Sequence, residues 1–280
     1  MLMKTRFAKT AQAGFTITEL LITMALGLSI IGSILVGYMA TYTSSMDTLA
    51  ASKLNQDLNA VMTLMVTEFR RIGYSVNAPV ADPTTNAFSQ IDSTAMEVYD
   101  NMASNTQLVP AGDGTWTNNF GGVATATSGS CIVYAYDLDD DGVVDAVELG
   151  GFRLNAGVVE MRTSGNTADP DTCATASNTW AALTDSDFIT ITTLDFNLDN
   201  SECLNTREPD SVNNDGDGTT DEADEADCYD LPFPVAASGN ITVETRQISI
   251  TLTGVLTNDT FVRISLNQDV RVRNDLVRVR

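Results

Sequence analysis

Histidine is missing from this chain altogether. Its absence removes the commonest general base, the commonest metal ligand and every triad that relays a proton through imidazole. Positive charge is scarce: 15 Lys and Arg against 37 Asp and Glu give a formal net charge of −22. So acidic a body repels phosphate backbones and anionic headgroups, which makes nucleic acid a poor partner. Cysteine is limited to Cys131, Cys173, Cys203 and Cys228, and no two are spaced C-x-x-C, which argues against zinc-ribbon and thioredoxin chemistry. No phosphate loop, dinucleotide fingerprint or nucleophile–base spacing occurs either, so no enzymatic activity is expected. Neither proline nor glycine interrupts residues 38–72.

What is present begins at the N-terminus. Residues 1–14 are basic (Lys4, Arg6, Lys9) and end in Gly14; FTITELLITMALGLSIIGSILVGYMA follows over residues 15–40 with a single charge, Glu19. That run is long enough to cross a bilayer as a helix, and the bases before it keep the N-terminus cytoplasmic and the body outside. A cleaved secretory signal would have a shorter apolar run and a small-residue site after it. A plain signal anchor leaves Glu19 unexplained, since an acid within an apolar segment is costly without a partner. Ala25, Ser29, Ser33 and Gly37 recur every four residues, a ridge that lets helices approach closely.

After Tyr42 the pattern turns amphipathic. Met46, Leu49, Leu54, Leu58, Val61, Met65, Phe69 and Ile72 keep three- to five-residue spacing, with Asp47, Lys53, Asp57, Glu68 and Arg71 largely between them. One helix over about 15–72 is expected, stopped by Gly73 in the left-handed capping position. The chain thus divides into a leader (1–14), a long helix (15–73; anchor 15–40, amphipathic part 41–73) and a head (74–280). In the head, strands are expected at Ala95–Tyr99, Cys131–Tyr136, Ala146–Leu154, Val158–Arg162, Phe188–Phe196, Ile241–Leu252 and Phe261–Arg273, with a hairpin turn at 154–158. The class is α+β, an antiparallel sheet resting on the amphipathic half of the helix. Arg263, Arg271, Arg273, Arg278 and Arg280 fall in the last 18 positions, where charge guards an edge strand against unwanted pairing.

Two acidic segments have the spacing of calcium loops. In DLDDDGVVDAVE, Asp137, Asp139 and Asp141 take positions 1, 3 and 5, Gly142 makes the turn at 6, Val143 offers a carbonyl at 7, Asp145 sits at 9 and Glu148 at 12. Hard oxygen donors in that number suit Ca2+, although strands rather than helices flank the loop. In NNDGDGTTDEADE, Asn213, Asp215, Asp217, Thr219, Asp221 and Asp224 take positions 1, 3, 5, 7, 9 and 12. Between Asp195 and Asp230 thirteen acids face one base, Arg207, so this segment needs a cation to order it. The even cysteine count in an exported chain implies two disulfides. Three pairings are open, of which Cys131–Cys173 with Cys203–Cys228 closes the shortest loops.

The stretch GFTITEL, Gly14 to Leu20, with the basic leader and the apolar run, resembles the cleavage site of type IV prepilins. The resemblance implies a prepilin peptidase that cuts after Gly14, N-methylation of Phe15, and a Glu19 carboxylate that meets the N-terminal amine of a neighbouring subunit. Two opposite charges buried in an apolar bundle are tolerable together and expensive apart. LNAVMTLMVTEFRRIGY, residues 58–74, resembles the end of the same helix in PilW-type minor pilins, whereas no proline stands near Val36, where many major pilins have one. The implied fold is ladle-like. The implied function is that of a minor pilin, a filament subunit with other pilins as partners. It starts as a single-pass inner-membrane precursor and ends in an extracellular or periplasmic fibre, with roles in adhesion or motility. A type II secretion pseudopilin and a pilin-stemmed adhesin share these features.

Overall fold

The computed structural model describes residues 14–77, 86–90, 93–101, 107–110, 116–118, 128–174, 178–198, 200–205, 218–220 and 241–279. The chain divides into two units, meeting at Ala50 and Ala51. A single helix, α1 (Ile17–Phe69), runs through both. In the first unit Leu21, Ile22, Met24, Leu28, Ile31, Ile34 and Val36 are all exposed. The hydroxyls interleaved with them are satisfied within the helix: Ser29 donates to the Ala25 carbonyl at 2.8 Å, Ser33 to Ile30 at 2.8 Å and Thr41 to Gly37 at 2.9 Å. Back-bonding of this kind removes the need for water, which is what a polar residue in an apolar solvent requires.

The second unit holds the head. It comprises β1 (Glu97–Tyr99), β2 (Gln107–Pro110), β3 (Trp116–Asn118), β4 (Ser128–Gly129), β5 (Cys131–Ala135), β6 (Leu149–Asn155), β7 (Val158–Ser164), β8 (Thr179–Ala182), β9 (Ile189–Asn197), β10 (Glu202–Asn205), β11 (Ile241–Thr245), β12 (Gln247–Leu256), β13 (Asp259–Arg271) and β14 (Leu276–Val279). Three antiparallel sheets form, with strand orders β3-β2-β1-β5-β6-β7-β8, β13-β12-β9-β4 and β10-β11-β14. Together with α1 they make the expected α+β architecture. The turn Ala156–Gly157 joins β6 to β7 with positive φ at both residues (48° and 84°), the twist that a two-residue hairpin demands.

Within this unit the C-terminal turns of α1 bury Leu54, Leu58, Val61, Met62, Met65 and Phe69. Phe69 meets Tyr134, Phe152 and Phe196 edge-on, at ring-centroid distances of 5.8, 5.6 and 5.7 Å. Gly254 lets the helix approach β12, because a Cβ there would lie 3.1 Å from Leu58 and 3.3 Å from Ile191. Met46 and Leu49, assigned to the same stripe from sequence, are exposed; burial begins at Leu54.

Strand ends shift by one or two residues, as at β1 and β13, and three boundaries differ by more or in kind. The helix stops at Phe69, and residues 70–73 form a turn in which Gly73 (φ 71°) donates its N–H to the Ala135 carbonyl at 2.9 Å. Ala146–Glu148 is a 3-10 turn instead of the start of a strand. The single strand expected over 241–252 is broken at Arg246, so that β11 and β12 join different sheets. Arg246 closes that break by donating to the Glu244 carboxylate at 3.1 Å and to the Met96 carbonyl.

Candidate metal loop and assembly helix

The acidic loop leaves β5 and returns through the 3-10 turn to β6. Asp137, one residue beyond the end of Tyr134–Tyr136, is 3% exposed; Asp139 and Asp141 are exposed. One carboxylate oxygen from each of the three lies within 4.8 Å of the others. Three like charges at that range repel by about 1 kcal/mol per pair even in water, and by more beside a buried group. Among the described residues no Lys or Arg forms an ion pair with them.

Backbone amides hold the loop closed. Asp137 Oδ2 accepts from Val76 N at 3.0 Å and from Gly142 N at 3.2 Å, while Asp137 Oδ1 is buried with no hydrogen-bond partner. Asp141 Oδ1 accepts from Val143 N at 2.7 Å. Glu148, 2% exposed, reaches back across the loop: Oε1 accepts from Leu138 N at 2.7 Å and Oε2 from Asp145 N at 2.8 Å. Gly142 and Asp140 have φ of 74° and 63°, which turns the chain back so that the Glu148 carboxylate reaches Leu138 N.

The loop is also fastened to the segment that follows α1. Asp137 N donates to the Tyr74 carbonyl at 2.9 Å, and the Tyr74 hydroxyl donates to Asp140 Oδ1 at 3.0 Å. That bond and the charge of Asp140 raise the phenol above its ordinary pKa. The φ of 74° at Gly142 strains any other residue, and a Cβ there would also displace the side-chain amide of Asn77, 2.1 Å away. Next to the loop, Tyr136 donates to Glu68 Oε2 at 2.8 Å; burial first, then this bond, raise its phenol too.

In the first unit Gly14 and Phe15 precede α1, and Phe15 is exposed. Glu19 lies in the first turn, exposed, and its amide donates to Thr16 Oγ1 at 3.3 Å. The glycines of this segment, Gly27, Gly32 and Gly37, face open space.

The sequence model of the family described as prepilin peptidase-dependent protein B matches residues 47–272. The chain belongs to that family. The matched span covers the last turns of α1 and most of the head, and it begins after the basic residues 1–14 and the apolar run. The two signals for a prepilin-related protein are therefore separate: one in the head, one in the first 40 residues. No curated protein and no solved structure matches.

Cys131 of β5 is bonded to Cys173, closing a loop of sequence separation 42. Cys228 lies outside the described residues, as do Asn213, Asp215, Asp217, Asp221 and Asp224 of the second acidic segment; of it, Gly218 has a positive φ of 104°. Two buried arginines, which the sequence pattern does not mark, frame the disulfide loop. Arg153 bonds Glu160 at 2.7 Å, donates to the Cys173 carbonyl at 2.8 Å and stacks on Trp180. Arg162 donates to the carbonyls of Leu149 (2.9 Å) and Pro170 (2.8 Å), and burial lowers its pKa to about 10. The hairpin turn at 156–157 was the available signal, because it sets Arg153 opposite Glu160. On the far sheet, β13 is an edge strand among the described residues, and it carries Arg263 and Arg271.

Proposed function

We propose that this protein is a minor pilin of the PilW type. In this reading it is inserted in the inner membrane with its N-terminus inside and cut by prepilin peptidase between Gly14 and Phe15. It is then drawn into a type IV filament through the first half of α1. The observation that carries the reading is that half-helix: it is long and apolar enough to span a membrane, and none of its apolar window is buried by the rest of the chain. A surface of that kind is stable in lipid or against copies of the same helix, and unstable in water. Glu19 is the one acid on it. In lipid or in a fibre core that carboxylate needs a cation, and the amine freed at Phe15 of a neighbouring subunit is of the right charge. The four-residue ridge of small residues Ala25, Ser29, Ser33 and Gly37, with no proline in the helix, favours close approach of a second helix.

The test is Glu19→Ala in the producing cell. Leader removal should proceed as in the wild type, while the variant's share of the sheared filament fraction falls roughly tenfold or more, the equivalent of losing about 1.4 kcal/mol of subunit affinity. Wild-type incorporation would remove the ion pair from the account. Recovery with secretion-system components in place of pilins would reassign the filament to a type II secretion pseudopilus.

A further inference from the structure

We propose that the loop 137–148 binds one Ca2+ through the carboxylates of Asp137, Asp139, Asp141 and Glu148, and that the ion fastens the segment after α1, Tyr74–Asn77, to the head. The inference is independent of filament assembly.

Spacing of acids alone would not carry it. The deciding feature is Asp137 Oδ1, an oxygen that is buried and without a partner while its sister oxygen accepts two backbone N–H groups. A buried carboxylate with half its acceptor capacity unused is costly unless something positive meets it. No Lys or Arg forms an ion pair with it among the described residues. One oxygen of the same Asp137 carboxylate lies within 4.8 Å of carboxylate oxygens of Asp139 and Asp141, which raises the cost further unless a cation sits among them.

The remaining ligand capacity is at hand. Glu148 is buried and turned into the loop; each of its oxygens accepts one N–H, and a carboxylate oxygen has a second lone pair for a metal. Asp145 and the Val143 carbonyl stand at the loop positions that would complete the shell. All donors are oxygens, with no imidazole anywhere in the chain and Cys131 tied in a disulfide, so a hard cation is selected over zinc or copper. A large, flexible shell of monodentate and bidentate carboxylates favours Ca2+ over the strictly octahedral Mg2+.

The consequence follows from Asp137 being shared. Its Oδ2 holds Val76 N, and its own N–H holds the Tyr74 carbonyl. Fixing Asp137 on an ion fixes the first residues after the helix. Without the ion, repulsion among the acids works against the same bonds.

The experiment is hydrogen exchange on the full mature chain in detergent micelles, stripped of metal and then given about 10 mM Ca2+ or the same concentration of Mg2+. With a dissociation constant of about 10⁻⁴–10⁻³ M, ordinary for exposed calcium modules, exchange at 74–77 and 137–148 should slow roughly ten- to a hundredfold. The paired variant Asp139→Asn, Asp141→Asn alters exposed side chains only. It should abolish the Ca2+ effect at these residues while leaving the near-ultraviolet circular dichroism of the aromatic core unchanged. Equal exchange with and without Ca2+, an unchanged Ca2+ effect in the variant, or protection confined to 213–225 would each overturn the proposal. Equal protection by Mg2+ would overturn the choice of Ca2+.

Discussion

Phe69→Ala is the substitution that interrogates the junction between helix and sheets most sharply. The side chain is fully buried and makes edge-on contact with Tyr134, Phe152 and Phe196, all within 5.8 Å. Those rings come from β5, β6 and β9, so one truncation empties a space shared by two sheets and the helix. Large-to-small changes of this kind cost about 3–5 kcal/mol, the edge-on aromatic contacts included, because the surrounding rings cannot collapse fully into the void. For a unit of this size each kcal/mol shifts the midpoint by about 2–4 °C, so Tm should fall by roughly 6–20 °C. The assay is thermal unfolding of the full mature chain in micelles, followed by near-ultraviolet circular dichroism, which reports the aromatic cluster; Phe15 and Tyr38 are the only aromatic residues of 15–40 and add little to it. Leu49→Ala is the matched control: on the same helix, 65% exposed, and expected to move Tm by less than about 2 °C. A Phe69→Ala shift no larger than that of Leu49→Ala would refute the packing of the helix against the sheets.

Reduction of the Cys131–Cys173 bond should destabilise the head by about 4 kcal/mol, the loop-closure value for a separation of 42, measured as a lowered urea midpoint under reductant; an unchanged midpoint would mean that Arg153 and Arg162 hold the loop unaided. Alkaline titration should show tyrosines that resist ionisation. Burial, then the charge of Glu97, raise Tyr99; burial, then Glu68, raise Tyr134. A phenol whose folded pKa lies above its unfolded value contributes stability that is complete below about pH 10 and is lost as pH rises towards the folded value. Tyrosinate absorbance from these residues should therefore appear together with unfolding; all seven tyrosines ionising near pH 10 with the fold intact would contradict their burial.

The helix was the most legible element, since its 53 residues contain no proline, and Gly73 marked its end to within a turn. Where burial starts was not legible: Met46 and Leu49 continue the stripe seen in Leu54 and Leu58, and only the presence of β12 beneath Leu58 separates them. In ITVETRQISITL the apolar positions change parity at Arg246, from Ile241 and Val243 to Ile248, Ile250 and Leu252, so the step between sheets stands in the sequence as a phase shift that a search for alternation alone passes over. Strands β2, β3, β4, β8, β10 and β14 have two to four residues each and offer no period to read. In the acidic loop the spacing of Asp137, Asp139, Asp141 and Glu148 was plain. The docking of that loop onto Val76, 61 residues away, depends on tertiary contact and left no local trace. Likewise, nothing in the sequence around Arg162 marks it as a core residue, since the carbonyls it serves belong to a loop closed by a disulfide.

The proposed role depends on where the mature chain starts. Intact-mass and N-terminal analysis of the protein purified from the producing membrane, beside a Gly14→Ala variant, tests this most directly. The account predicts a wild-type chain that begins at Phe15 with a modified amine, and a variant that keeps its 14-residue leader. A native chain that begins anywhere else, or a variant processed normally, would leave Glu19 without its partner and contradict the assembly role.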